Sequence, residues 1–338
     1  MEISVLAIDL AKSVFQLHGN DAHGRCRLRR KLRRSELRPF IALLPPCIVA
    51  MEACSGSQYW AREFRALGHQ VRLIAPQFVK PFVKTNKNDS ADAEAIAEAA
   101  IRPNMRFVPI KERWQQDLLS IHRARDLLIG HRVAVSNALR GFLAEQGLVF
   151  AIGDGALKKG LQEVFSRPEP VVSVQFAEIL QALFSQLRLL TEQIEELDRK
   201  LEGVARTDER CKRLQKIEGV GPIISTAILG TIGDAREFKN GRSLSAFWGL
   251  VPRQSSSGGK QQLLGISKRG DGYIRKLLIH GARSAVQWAG KKDTPRNRWV
   301  LEKVRTRGMN KATVALANKN ARVIWAVLAK GEHYRAAA

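Results

Sequence analysis

Cysteine is scarce in this chain: Cys26, Cys47, Cys54 and Cys211 are the only four among 338 residues. None stands in a C-x-x-C or other paired spacing, which argues against a disulfide scaffold and a cysteine-type zinc site and fits a reducing cytosol. Long apolar runs are missing too, and nothing approaches the roughly 18 apolar residues of a membrane span. Residues 1–13 have no basic flank and too short an apolar run for a secretory signal, so neither a targeting segment nor a membrane partner is expected. Acidic residues are few, 32 Asp and Glu against 56 Lys and Arg, giving a net charge of +24 and a pI near 10.5. A surplus of this size points to a polyanion, most often nucleic acid. The remainder is ordinary globular material, 45% hydrophobic and 26% charged, which excludes wholesale disorder. The length suits two or three domains.

The charge is unevenly placed. Residues 242–338 carry 20 basic and 4 acidic side chains, a net of +16, and residues 1–110 carry 17 and 10, a net of +7. Residues 111–210 are near neutral at 14 against 15, and residues 211–241 hold 5 against 3. Crowded like charges repel one another without a counter-charge, so the C-terminal part is the main polyanion-binding face, with a smaller basic cluster at residues 25–38.

The pattern divides the chain into three parts. Residues 1–110 read as an α/β domain: strands near 3–10, 14–18 and 25–32, a helix over 35–44, a strand at 47–51, a helix over 57–67, a strand at 70–75 and an alanine-rich helix from Asp89. Three consecutive strands followed by αβαβα is the order of the ribonuclease H-like fold, and equally of the actin-like sugar kinase fold. In residues 111–210 one long helix is expected over 111–146. Gly153, Gly155 and Gly160 then loosen the chain, and Pro168 and Pro170 break it. Phe176, Leu180, Leu183, Leu187, Leu190, Ile194, Leu197, Leu201 and Val204 follow at alternating spacings of four and three, the a/d seam of a coiled coil. It can pair with the preceding helix of its own chain or with another subunit. Residues 211–335 read as mainly α-helical. There Ile217-Glu218-Gly219-Val220-Gly221-Pro222 resembles a helix-hairpin-helix, whose Gly219 and Gly221 let a phosphate backbone approach the next helix start. A frayed tail is expected after Lys330.

Four carboxylates stand out. Asp9 and Glu52 each end an apolar strand, the position where α/β sheets carry their sites. Asp89 and Asp92 share one face of the helix that they open. Singly, Asp89 reads as an N-cap and Asp92 as a helix-dipole partner. Four convergent acids need counter-ions, and two Mg²⁺ ions would supply them while stabilising an in-line phosphoryl displacement.

Ile8-Asp9-Leu10-Ala11-Lys12, Met51-Glu52-Ala53-Cys54-Ser55-Gly56 and Lys87-Asn88-Asp89-Ser90-Ala91-Asp92-Ala93 resemble the Asp-Glu-Asp-Asp signature of a bacterial insertion-sequence transposase family related to the Piv DNA invertase, with a RuvC-like N-terminal domain. Residues 217–222, Phe247-Trp248-Gly249-Leu250-Val251-Pro252, Ser255-Ser256-Ser257-Gly258-Gly259-Lys260, Ile266-Ser267-Lys268-Arg269-Gly270-Asp271 and residues 273–278 extend the resemblance over nearly the whole chain. It implies Mg²⁺ on Asp9, Glu52, Asp89 and Asp92, and a serine nucleophile linked covalently to DNA at the position of Ser257, with Ser255 and Ser256 as register alternatives. It also implies a structured guide RNA that pairs with donor and target DNA, and a bacterial cytoplasmic, nucleoid-associated setting.

Arg253, Lys260, Lys268, Arg269 and Arg275 surround that serine in sequence with the cations a phosphate-attacking hydroxyl needs. Asp92 and Ser257 are separated by the whole coiled-coil region, so a composite site across a dimer is expected, and a tetramer for synapsis. Three rival readings stand beside this one: a RuvC-like junction endonuclease using metal-activated water, an actin-like sugar kinase, and a nucleic-acid-binding protein with vestigial acids.

Overall fold

The computed structural model describes residues 2–84, 89–167, 171–258 and 260–334, without the side chain of Ser257. Lys87, Asn88, Pro168, Pro170, Gly259 and residues 335–338 lie outside the described residues. The chain divides into two compact units, residues 1–112 and residues 113–338.

The first unit is built on a mixed sheet of six described strands in the order β3-β2-β1-β4-β5-β6. Its elements are β1 (Val5–Asp9), β2 (Val14–Asn20), β3 (Cys26–Arg33), α1 (Arg34–Ala42), β4 (Ile48–Glu52), α2 (Ser57–Ala66), β5 (Gln70–Ile74), α3 (Pro76–Val79), α4 (Asp89–Ala100) and β6 (Phe107–Val108). β1 is antiparallel to β2 and parallel to β4, with Ala7 opposite His18 and Ile8 beside Met51. The alternation of strand side chains sends Leu6, Ile8, Val49 and Met51 into a core with Trp60 and Phe64 of α2. Val5, Ala7 and Ala50 face the other way and pack against Ala95, Ile96 and Ala99 of α4. The central strands are therefore covered on both faces, which is why β1 and β4 read as unbroken apolar runs. The strand and helix order of the sequence reading is the observed one, with the short helix α3 and the strand β6 added. Its two residues, antiparallel to β5, are too short for a periodicity to register.

The second unit is mostly helical. It comprises α5 (Arg113–Glu145), α6 (Asp154–Ser166), α7 (Val174–Thr207), α8 (Glu209–Leu214), α9 (Pro222–Thr231), α10 (Gly241–Phe247), β7 (Pro252–Ser257), β8 (Lys260–Ile266), α11 (Gly272–Trp288), α12 (Pro295–Arg307) and α13 (Met309–Lys330). The heptad seam is used within the chain. Leu180 and Leu187 of α7 share a core with Leu139 and Leu143 of α5, and Leu201 shares another with Leu118.

Three sequence expectations differ from the structure. Gly155 and Gly160 lie inside α6, because Leu157, Leu161 and Val164 bury one face and Gly160 admits the Phe150 ring; a methyl there would meet it at 2.3 Å. In the part expected to be mainly α-helical, Ser255, Ser256 and Ser257 end strand β7 and Lys260 opens β8 of a hairpin. The segment after Lys330 is tied down as far as Tyr334: Arg213 donates to the Gly331 carbonyl at 2.8 Å and Arg296 to the Tyr334 hydroxyl at 2.9 Å.

A buried polar chain joins α5, α7, α9 and α11. Thr226 donates to the Pro222 carbonyl at 2.8 Å, so its oxygen is left to accept from His122 Nε2 at 3.1 Å. That fixes His122 as the Nε2–H tautomer, with Nδ1 accepting from the Tyr273 hydroxyl at 3.0 Å. Arg125 interacts with Tyr273 and pairs with Asp198. Burial, reinforced by Arg125 and opposed by Asp198, lowers the His122 pKa to about 4. Below the ordinary value of 6.5 the unfolded chain takes up a proton that the folded chain refuses. Stability is therefore whole above about pH 6.5 and declines toward pH 4, by about 3 kcal/mol from this group. Thermal melts between pH 7 and 4.5 should show the decline, and His122→Gln should flatten it. An unchanged slope in that variant would exclude His122 as its source.

Candidate active site

Asp9 is the last residue of β1 and Glu52 the last of β4, on adjacent parallel strands whose preceding residues, Ile8 and Met51, are register partners. By the two-residue alternation Asp9 follows Ala7 and Glu52 follows Ala50, so both carboxylates belong to the sheet face covered by α4. Asp89 and Asp92 form the first turn of that helix. All four acids thus belong to one sheet–helix layer. Small side chains on both sides, Ala7 and Ala50 against the alanines of α4, let helix and sheet approach closely.

The turn after Glu52 is tightly specified. Ala53 donates to the Ile74 carbonyl at 2.8 Å and Cys54 to the Glu52 carbonyl at 2.9 Å. The chain then passes through Gly56 in the left-handed region (φ 84°) into α2. Cys54 reports the local field: partial burial raises its thiol pKa first, and the Glu52 and Asp9 carboxylates raise it further. Gln16, the register partner of Asp9, was not singled out in the sequence, since it carries no motif, and Cys54 entered only as a member of the Met51–Gly56 motif.

Paired carboxylate oxygens are hard donors that suit a divalent cation completed by water or phosphate oxygens, so Asp9 and Glu52 fit such an ion. Among the described residues no three His, Cys, Asp or Glu side chains form a group able to hold a metal. The structure brings Asp9 and Glu52 side by side and puts Asp89 and Asp92 on the covering helix, without closing the four into a preformed cage.

Ser257 ends β7 in the second unit, with Lys260 as register partner across a turn in which Gly258 has a φ of 54°. Arg253 lies on the same strand, where the β7–β8 register shifts between Pro252 and Gln254. Arg253, Lys260 and Ser255 are exposed, as is Ser256, whose hydroxyl accepts from Gln254 Nε2 at 3.0 Å.

The remaining residues picked from sequence divide between surface and framework. Lys268, at φ 55°, and Arg269 form an exposed loop. Arg275 fastens that loop by donating to the carbonyls of Trp248 at 3.1 Å and Arg269 at 3.0 Å. Gly219, at φ 81°, faces the protein interior: a methyl there would meet the Gly281 carbonyl of α11 at 2.5 Å. Its neighbour Glu218 gives its carbonyl to the buried side chains of Arg296 and Asn320. Gly221 has open space around it at the start of α9, and no side chain caps that helix. Trp248 is completely buried, and Trp325 donates to the carbonyls of Ala235 and Phe238.

Residues 6–146 match the model of a DEDD-type transposase domain, and residues 211–297 match that of the transposase IS116/IS110/IS902 family. A probable family 20 transposase of Pseudomonas aeruginosa is 48% identical over 99% of this chain and 99% of its own length. The transposase for insertion sequence element IS1111A of Coxiella burnetii is 43% identical over 100% of this chain and 93% of its own. That for IS1328 of Yersinia enterocolitica is 41% identical over 97% and 98%.

Proposed function

This chain belongs to the IS116/IS110/IS902 family of insertion-sequence transposases, which catalyse DNA cleavage and strand transfer, and from that premise we propose how its residues divide the work. The DEDD-type domain implies a ribonuclease H-like fold and divalent-metal use for the first unit. Asp9, Glu52, Asp89 and Asp92 hold Mg²⁺, two ions when DNA is bound. The observation that carries this reading is the pairing of Asp9 and Glu52 at neighbouring strand ends, on the face covered by the helix that opens with Asp89 and Asp92. When bound, such ions stabilise the charge that develops on the phosphate oxygens.

The Ser257 hydroxyl attacks the DNA phosphorus. A serine–phosphate bond forms, one deoxyribose oxygen leaves, the serine proton is lost and the leaving oxygen gains one. Arg253, Lys260, Lys268 and Arg269 neutralise the phosphates around that serine, and Arg275 holds their loop in place. Gly221 and the uncapped start of α9 serve as a sequence-independent phosphate contact in the manner of a helix-hairpin-helix, with Gly219 permitting the turn. We extend the reading to a guide RNA, whose base pairing selects the DNA while the protein holds backbones, and to an oligomer, a dimer or a synaptic tetramer. The composition of the second unit supports a large polyanionic partner: residues 242–338 carry a net charge of +16.

The test is a trapping assay. Purified protein, donor and target DNA and RNA transcribed from the non-coding end of the element are incubated with Mg²⁺ and quenched with detergent. A covalent protein–DNA adduct that disappears with EDTA is the expected result. Cleaved DNA without any adduct would favour the water-using endonuclease.

A further inference from the structure

Between the β7–β8 hairpin and helices α10, α12 and α13 runs a groove of about 1440 Å³. One wall is the hairpin, with Leu263 and Leu264 left 60% and 41% exposed. The opposite wall is a stripe of α13 that includes Lys311, Val314, Lys319, Arg322 and Val323, with Trp299 of α12 beside it. Arg242 of α10 completes a set of four exposed cations. No carboxylate is among the groove's described lining residues, and none of the four cations forms an ion pair among the described residues, although such pairs are common elsewhere in the chain. Burial lowers the Lys319 pKa, and the charges of Arg296 and Arg322 lower it further. Lys319 and Arg322 therefore lie close enough to repel each other, with no carboxylate among the described lining residues.

We propose that this groove takes a single strand of DNA, with its bases on the apolar walls and Trp299 and its phosphates on Arg242, Lys311, Lys319 and Arg322. Several observations select that occupant. Four unpaired cations without a carboxylate call for a polyanion. Lys311 and Arg322 are eleven residues apart on one helix, about 16 Å, so the positive stripe is elongated like a strand backbone. Exposed leucines and an indole suit base faces, which a duplex hides between stacked pairs. Lys319 Nζ lies 4.6 Å from the Trp299 ring centre, an exposed cation that a phosphate can draw away to open the ring for stacking. The mainly apolar walls suit deoxyribose better than a 2′-hydroxyl, which seeks polar partners. The groove uses the base of the hairpin, Pro252 and Leu263–Ile266, whereas Ser257 stands at its turn. The proposal rests on the DNA-processing reading above, but its test does not depend on catalysis.

Binding of a fluorescein-labelled oligodeoxythymidylate of about 10 nucleotides to the full-length protein is measured by anisotropy across a salt series. Lys311→Gln with Arg322→Gln is compared with Lys291→Gln with Arg307→Gln, an equal loss of charge at residues that do not line the groove. The groove pair should weaken binding about tenfold and reduce the salt slope by about 1.4, while the control pair changes affinity less than about twofold. Equal losses in the two variants, unchanged binding in the groove pair, or a loss seen only with oligouridylate RNA would overturn the proposal. Failure of the catalytic reading would appear instead in the adduct assay, where Ser257→Ala and Asp9→Asn are scored and oligonucleotide affinity plays no part.

Discussion

Ser257→Ala is expected to abolish the covalent protein–DNA adduct and to lower strand exchange by about 10⁴- to 10⁶-fold, the scale on which removing a nucleophile from a concerted site operates. The backbone at this position is extended strand, paired in register with Lys260, and alanine adopts that conformation without strain. Binding of DNA and RNA should therefore stay at the wild-type level, which separates lost chemistry from lost substrate. Ser255→Ala and Ser256→Ala are the controls and should retain the adduct. A Ser257→Ala protein that recombines normally would refute the assignment. One that cuts DNA but leaves no protein attached would turn the mechanism toward water as the attacking group.

Asp9→Asn is the second large effect. It keeps the shape of the strand end and removes one negative charge from the pair with Glu52, so the sheet should fold and melt nearly as before. A metal site that stabilises several kcal/mol of developing phosphate charge is worth about 10³-fold or more in rate. Mg²⁺-dependent cleavage should fall by at least that much, and raising the Mg²⁺ concentration should recover part of it, because the defect lies in metal affinity. Glu52→Gln should behave alike. Cleavage at wild-type rate in both variants, at limiting Mg²⁺, would remove these two carboxylates from the reaction.

How much of this was legible in the sequence depended on distance along the chain. Asp9 and Glu52 could be read because each interrupts an apolar run at the point where the strand stops. Their partnership depended only on strand order, which the succession of elements supplied. The seam of α7 was legible for the same local reason, and its partner α5 was one of two alternatives left open. The β7–β8 hairpin was not legible: its residues are exposed on both faces from Pro252 to Gly265 where described, so no buried face imposes an alternating pattern. Gly160 misled for a related reason, and the interior contact of Gly219 was equally hidden. What they make room for, the Phe150 ring and the Gly281 carbonyl, is invisible to local spacing. The charged network around His122 draws on helices more than a hundred residues apart and left no local mark.

The alanine layer between α4 and the sheet has a consequence for the chemistry. Ala7 and Ala50 share one core with Ala95 and Ala99, so the spacing between α4 and these strands depends in part on some of the smallest side chains that still fill a core. Each added methylene there would act as a shim. Enlarging Ala50 to valine would cost about 1–3 kcal/mol of overpacking. It would also lift the helix bearing Asp89 and Asp92 off the strands bearing Asp9 and Glu52. The layer works as a caliper: on the proposed reading, alanines that are not themselves metal ligands help set the spacing between the acids, and a change in them would retune Mg²⁺ binding without altering a carboxylate.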